Sequence, residues 1–423
     1  MQEIGSVRYN NKVPAPGTAD NMRFVNVDQD ICIGCKNCTH VCPTGAIIST
    51  DPDKRWAPSH IPNPEMCVYC GQCLVNCPVH AIYEEVSFID VVKQKLADPG
   101  TVCVAAPAPA IRYALGEEFG ISDGTYVGEK MFAALYALGF DYVWDVEYGA
   151  DVTILEEGSE LLSRVGKKEN KPLPQFTSCC PGWIRYIETF YPDLIPNLSS
   201  TKSPTQILGP LTKTYGAENV GADPKRMFTL AIMPCVSKKY EGLRGEFEVS
   251  GQRDIDATID TREFAHMIRE TGIDFKNLPV SGEKSKAHDL LGMSTGAATI
   301  FGVTGGVMEA MLRYLVEQID GTTLEKVDFT DVRGQEGVRE ATVTAGGNQL
   351  KVAMVNGLKN ARALCDDVRA GKSPYVAIEV MTCPGGCING GGQPYAAWNR
   401  RTIGMMPTLM RIRNALRKLE TMG

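Results

Sequence analysis

The chain has no long apolar run, no surplus of positive charge and only five histidines, and each shortage removes a class of function. Its most membrane-like uncharged stretch, Leu290 to Met308, is broken by five glycines and four serines or threonines, whereas a membrane helix needs roughly 20 predominantly apolar residues. No bilayer span is expected. A formal net charge of -7 and a pI near 5.5 leave no basic footprint for nucleic acid and little attraction to an anionic membrane. His40 and His80 have no metal-ligand spacing of their own, which points to structural or surface roles. The stretch Gly302-Val303-Thr304-Gly305-Gly306 lacks the lysine of a phosphate loop, so no nucleotide site is indicated. Met1 to Pro16 is polar, with neither a hydrophobic signal core nor twin arginines, so the chain is expected to carry no export address of its own.

What it has in quantity is cysteine, 15 in 423 residues. A chain this long exceeds what one hydrophobic core serves, so two or more domains or lobes are expected. Clustered thiols in a large chain without a signal indicate metal or redox chemistry rather than disulfides. Cys32-x2-Cys35-x2-Cys38-x3-Cys42-Pro43 returns 35 positions later as Cys67-x2-Cys70-x2-Cys73-x3-Cys77-Pro78. That is the bacterial ferredoxin run, whose fourth cysteine ligates the other cluster. Cys32, Cys35, Cys38 and Cys77 are therefore expected to hold one 4Fe-4S cluster, and Cys67, Cys70, Cys73 and Cys42 the second. Zinc or idle thiols are the bland alternative, and a duplicated spacing argues against them. Two crossed clusters make an electron relay, which needs something to wire.

A ferredoxin-like domain is accordingly expected over residues 1–88 and a second domain over 89–423. Tyr83 to Leu96 reads as a helix broken by Asp98-Pro99-Gly100. Beyond it, β-rich runs (Val102 to Ala105, Tyr142 to Val146, Phe228 to Ile232, Tyr375 to Val380) alternate with helical ones. The helical runs are Val152 to Val165, Thr261 to Glu270 with a Thr cap, and Val307 to Gln318. This alternation predicts α/β layering, with two α/β lobes closing over a central site. Met405 to Leu419 is expected as a terminal helix, packed on its own domain or docking a partner.

Five further cysteines fall in three short motifs. They are Thr177-Ser178-Cys179-Cys180-Pro181-Gly182-Trp183, Met233-Pro234-Cys235-x2-Lys238-x2-Glu241, and Glu379-x-Met381-x-Cys383-x3-Cys387-x2-Gly390-Gly391-Gly392-Gln393-Pro394. The last two follow β-rich runs, so strands are expected to deliver thiolates to one place. Soft thiolates select iron-sulfur clusters, and the glycines after Cys383 and Cys387 would let backbone approach a bulky inorganic ligand. Cys179 is surplus to a four-ligand count. A free thiol with an unperturbed pKa near ~8.5 can exchange protons near neutrality, although a spare cysteine is also an ordinary small hydrophobe. Cys103 and Cys365 match no motif and read as burial.

In order and residue type, the three motifs resemble the signature set of iron-iron hydrogenases, and the resemblance runs from the ferredoxin repeat through Pro394. It implies an H-cluster, a 4Fe-4S cubane bridged by a cysteine to a two-iron subcluster with carbonyl, cyanide and dithiolate ligands. It assigns the cubane to Cys180, Cys235, Cys383 and Cys387, with Cys387 as the bridge, and makes Cys179 the proton donor and acceptor. It further implies a relay through Glu157, Ser199, Glu160 and Arg164 to solvent. Glu157, Glu160 and Arg164 share a face at i, i+3 and i+7 of one expected helix, a spacing that a solvated acidic face would show equally. Lys238 would direct its ammonium at a cyanide, where the bland reading is a surface lysine. Pro109, Ala110 and Met233 would wall the two-iron site; Met381, Phe301 and Gln206 are expected near it, with packing as their alternative role.

The activity implied is reversible conversion of H2 to two protons and two electrons, with a low-turnover hydrogen sensor or an iron-sulfur assembly scaffold as alternatives. Retention of Cys179, Lys238, Glu157, Glu160 and the glycine run argues for the enzyme. The chain ends 29 residues after Pro394, where single-chain members continue. The resemblance therefore implies the large subunit of a two-chain enzyme, like those of sulfate-reducing bacteria, or a module of a larger electron-transfer complex. A ferredoxin or cytochrome would be the electron partner. The location implied is periplasmic by co-export with a signal-bearing small subunit, or else cytoplasmic.

Overall fold

In the computed structural model of the chain, residues 13–395 are described, apart from 16, 19–21, 52, 60–61, 250, 325–326, 334 and 336. The helix expected over Met405 to Leu419 lies outside the described residues. Among them, no helix is long and apolar enough to cross a membrane.

At the amino end, β1 (Val25–Val27) pairs antiparallel with β2 (Ile82–Glu84), Val27 opposite Ile82. Between them each cysteine run closes on a short helical turn, Asn37–Val41 and Gln72–Val75, entered through left-handed backbone at Lys36 and Gly71. The single helix expected from Tyr83 does not form. Residues up to Glu84 pair with β1, and the helix runs Ile89–Ala97. Its apolar positions suit either structure, and strand pairing across 57 residues, Asn26 opposite Tyr83, overrides the local periodicity.

The rest is built on two sheets. After β3 (Val102–Pro107) and β4 (Tyr142–Val143), β5 (Gln175–Phe176) departs for the second sheet and β6 (Met227–Met233) returns to the first. A small hairpin, β7 (Glu248–Val249) and β8 (Gln252–Arg253), precedes β9 (Ala257–Asp260). The order β4-β3-β6-β9 is parallel throughout. Every residue of β6 is buried, as an internal parallel strand covered on both faces requires. The second sheet follows with β10 (Thr330–Asp331), β11 (Val338–Ala345), β12 (Asn348–Asn356) and β13 (Ala377–Met381), in the order β10-β11-β12-β13-β5. It is parallel only across β12, β13 and β5.

Two helix starts differ from expectation, both because an aspartate caps earlier. Asp145 accepts a hydrogen bond from the Glu147 amide at 3.0 Å, so β4 stops at Val143 and the helix spans Val146–Val165. Asp260, not Thr261, caps Thr261–Glu270 in a reciprocal box with Glu263. The Val146–Val165 helix is gripped closely: a Cβ on Gly149 would lie 2.2 Å from the Pro204 carbonyl oxygen, and one on Gly158 2.4 Å from the Tyr314 ring. One apolar core joins Phe24, Leu74 and Ile82 of the amino-terminal segment to Val104 and Leu230 of the first sheet. The carboxyl ends of β3, β5, β6 and β13 all open onto a common cavity.

Candidate metal centre

Each of those strand ends releases a loop that lines the cavity. Ala108, Pro109 and Ala110 follow β3; Cys179 and Cys180 follow β5; Pro234 and Cys235 follow β6; Thr382, Cys383 and Cys387 follow β13. The five thiols, more than 200 positions apart at the extremes, thus share one cavity. Met233, Met381, Phe301, Val146 and Ala150 supply an apolar wall. Pro109 and Ala110 line the cavity as well. Gln206 does not line the cavity; it is buried behind Thr205, with its amide 3.5 Å from Glu241.

The glycines of the third motif lie against other loops, and Gly386 and Gly390 also line the cavity. A Cβ on Gly386 would lie 2.7 Å from the Thr304 amide nitrogen, on Gly390 2.1 Å from the Pro234 carbonyl oxygen, and on Gly391 2.1 Å from the Cys70 carbonyl oxygen. At each of the three, protein backbone takes the space a side chain would need. Glu379, one of that motif's residues to which no role had been given, is fully buried and accepts from the amides of Gly305 (2.6 Å) and Met308 (2.8 Å). It thereby caps the helix Gly306–Asp320 and pins the loop that carries Phe301.

Burial, then the neighbouring Glu157 carboxylate, pushes the Cys179 thiol well above its ordinary range. Lys238 is not a surface lysine. Its ammonium reaches Glu241 (2.8 Å), Ser203 Oγ (2.9 Å) and the Cys179 carbonyl (3.3 Å). Burial opposes its charge, and Glu241 more than offsets that.

From Cys179 a chain of polar groups runs outward. Glu157, 1% exposed, accepts from the amide and the hydroxyl of Ser178, both at 3.0 Å, through Oε1 alone. Burial raises its carboxyl to about 7. The Ser199 hydroxyl donates to Glu160 Oε2 at 2.9 Å and also bears on Glu157. Burial works against the Glu160 charge, yet bonds from Lys171 (2.8 Å), Arg164 (2.6 Å) and Ser200 hold it down to about 2. Glu157, Glu160 and Arg164 do share one helix face, and it points inward rather than into solvent. Arg164 is not an exit: its side chain is fully buried and bonds the carbonyls of Pro172, Pro196, Asn197 and Leu198. Solvent is met at Lys171 and Ser200 instead. Lys171 lay in a polar loop without a motif; Ser178, inside one, had a signal that went unused.

The ferredoxin-type thiols form two groups. Cys32, Cys35, Cys38 and Cys77 surround one cavity, and Cys42, Cys67, Cys70 and Cys73 another, with the crossed membership expected. Burial raises the thiols of Cys67 and Cys235 to about 11, and those of Cys73 and Cys383 further still. Buried thiols crowded in this way become thiolates when metal charge compensates them, and soft sulfur donors of this number fit iron-sulfur clusters.

Fold and site together define an iron-sulfur oxidoreductase with a buried metal pocket fed by a two-cluster relay. Residues 31–82 match the 4Fe-4S dicluster domain, and residues 101–391 match the family described as iron only hydrogenase large subunit, C-terminal domain. The chain belongs to the iron-iron hydrogenase large-subunit family. It is 53% identical to the periplasmic Fe hydrogenase large subunit of Nitratidesulfovibrio vulgaris, covering 92% of this chain and 90% of that protein. It is 46% identical to the NADP-reducing hydrogenase subunit of Solidesulfovibrio fructosivorans, over 87% of this chain and 64% of that one. A solved FeFe-hydrogenase from Chlamydomonas reinhardtii superposes with a TM-score of 0.69 at 36% identity, covering 78% of this chain and 88% of the other. The activity is reversible oxidation of H2 at an H-cluster, with electrons relayed through two 4Fe-4S clusters. A sensor or assembly scaffold is not favoured.

Proposed function

We propose that Cys180, Cys235, Cys383 and Cys387 hold the cubane of the H-cluster, Cys387 as the bridge, and that Cys179 exchanges protons with it. The observation that carries this is the convergence of five thiols on one apolar cavity. When bound, the H-cluster supplies an open iron position at which H2 is split heterolytically. The chain's own residues keep that position dry through Pro109, Ala110, Met233, Met381 and Phe301, and hold Lys238 charged beside Cys179 through Glu241. The released proton passes from Cys179 to Glu157, then by way of Ser199 to Glu160 and out at Lys171 and Ser200. Arg164 holds the loop carbonyls and the Glu160 carboxylate in place. Cys32, Cys35, Cys38 and Cys77, and Cys42, Cys67, Cys70 and Cys73, bind the two relay clusters within residues 1–88, with 89–423 as the catalytic domain. A separate small subunit as partner, with export to the periplasm alongside it, is supported by the 53% identical relative being a periplasmic large subunit. Electrons then leave to a ferredoxin or cytochrome.

Cys179→Ser tests the central assignment. The variant is expected to keep its iron content and the infrared carbonyl and cyanide bands while losing most exchange of H2 with D2O. Undiminished exchange would remove Cys179 from the path, and absence of the bands from matured unmodified protein would exclude the pocket assignment.

A further inference from the structure

The ferredoxin-type segment meets the catalytic part along a buried seam centred on one carboxylate. Glu84, on β2, is 2% exposed and takes Lys239 Nζ at 2.5 Å and Arg262 Nη2 at 2.6 Å. Lys239 stands four residues after Cys235. It also meets Glu263 at 2.8 Å. Arg262 donates through Nη1 to the carbonyls of Gly391 (2.9 Å) and Gln393 (2.6 Å) in the third motif. One carboxylate on the ferredoxin side therefore grips the second and third thiol motifs together. Without Glu84, Lys239 keeps Glu263 and Arg262 keeps Asp260, so both cations stay paired while the tie across the seam is cut.

The loop carrying Cys67, Cys70 and Cys73 is pressed against the same motifs. Ser237 Oγ donates to the Val68 carbonyl at 3.0 Å, and Gln72 Nε2 donates to the Asn389 carbonyl at 2.9 Å. Beside them glycine meets glycine: a Cβ on Gly71 would lie 3.0 Å from Gly391 Cα, and one on Gly391 would overlap the Cys70 carbonyl. No side chain fits between the two loops. In consequence Cys70 lines two cavities, that of the second ferredoxin-type cluster and that of the catalytic thiols, and forms the wall between them.

We infer that Glu84 and Gly391 are positioning residues for electron transfer, holding Cys70 as the shared wall between the catalytic pocket and the second ferredoxin-type cluster. The inference rests on the ligand assignment proposed above. Each H2 yields two protons and two electrons; the electrons cross this wall one at a time, pass along the relay and reduce two equivalents of a one-electron acceptor.

The test uses the full, cluster-loaded chain carrying Glu84→Gln or Gly391→Ala. Exchange of H2 with D2O reports the catalytic pocket alone, whereas reduction of added oxidised ferredoxin, too large to enter the pocket, reports the relay. Paramagnetic coupling between the catalytic centre and the reduced neighbouring cluster reports their separation. Both variants should keep iron content and exchange, lose ferredoxin reduction and show weakened coupling. Ferredoxin reduction and coupling at the unmodified level in either loaded variant would overturn the inference. So would failure of both variants to load, which would make the seam a folding determinant. Lack of exchange in the unmodified chain would count against the proposed function instead.

Discussion

Replacing Glu157 by Gln should stabilise the cluster-free fold at alkaline pH while stopping turnover. Burial raises the Glu157 carboxyl from an ordinary 4.5 to about 7, with only Oε1 hydrogen-bonded and Oε2 buried without a partner. Because the folded-state value is the higher one, the folded protein binds more protons than the unfolded chain between about pH 4.5 and 7. Stability from this group is therefore complete below that window and falls as pH rises through it. A tenfold change in proton affinity is worth about 1.4 kcal/mol, so the loss approaches about 3 kcal/mol above pH 7. Glutamine keeps an oxygen for the Ser178 amide and carries no charge, so it escapes the loss. Denaturant unfolding of metal-free Glu157→Gln and unmodified protein, compared from pH 4.5 to 8, should show a stability difference that moves in favour of the variant as pH rises. A difference that stays flat across that range would refute the assignment of a buried, high-pKa carboxyl at 157. In loaded protein the amide cannot pass a proton, and H2–D2O exchange should collapse although the infrared bands remain.

Two other outcomes follow from the same geometry. Glu379→Ala leaves the buried amides of Gly305 and Met308 without their acceptor; at about 1 to 3 kcal/mol for each unsatisfied group the metal-free protein should lose about 2 to 6 kcal/mol, and a loss under about 1 kcal/mol in denaturant unfolding would contradict the capping role. Lys171→Met removes a bond that holds Glu160 down to about 2. The stability this carboxylate contributes is present above its unfolded value and lost as pH falls through the folded one, so acid unfolding followed by circular dichroism should begin at higher pH in the variant, and an unmoved midpoint would speak against the contact.

The legible features were those whose chemistry lies within a few residues. The two-residue gaps of Cys32 to Cys38 and Cys67 to Cys73, and the long buried strand at Met227–Met233, are local patterns with one physical meaning each. Features that depend on what stands opposite were harder to read. Tyr83 and Glu84 left the expected helix because β1 offered them a partner. Arg164 follows the helix face containing Glu157 and Glu160, and nothing in its spacing reveals that four loop carbonyls wait at its end.

By itself, then, the sequence marked out the two runs of closely spaced thiols as candidate metal ligands, because chelation by thiols a few residues apart is encoded at short range. Only the tertiary structure decided that Cys179, Cys180, Cys235, Cys383 and Cys387 share one cavity with Cys70, and that burial lifts the Glu157 carboxyl to about 7. It also decided that Gly391 makes room for the neighbouring loop of Cys70 and Gly71. Burial, field and close approach arise between segments hundreds of residues apart, and spacing along the chain carries no record of them.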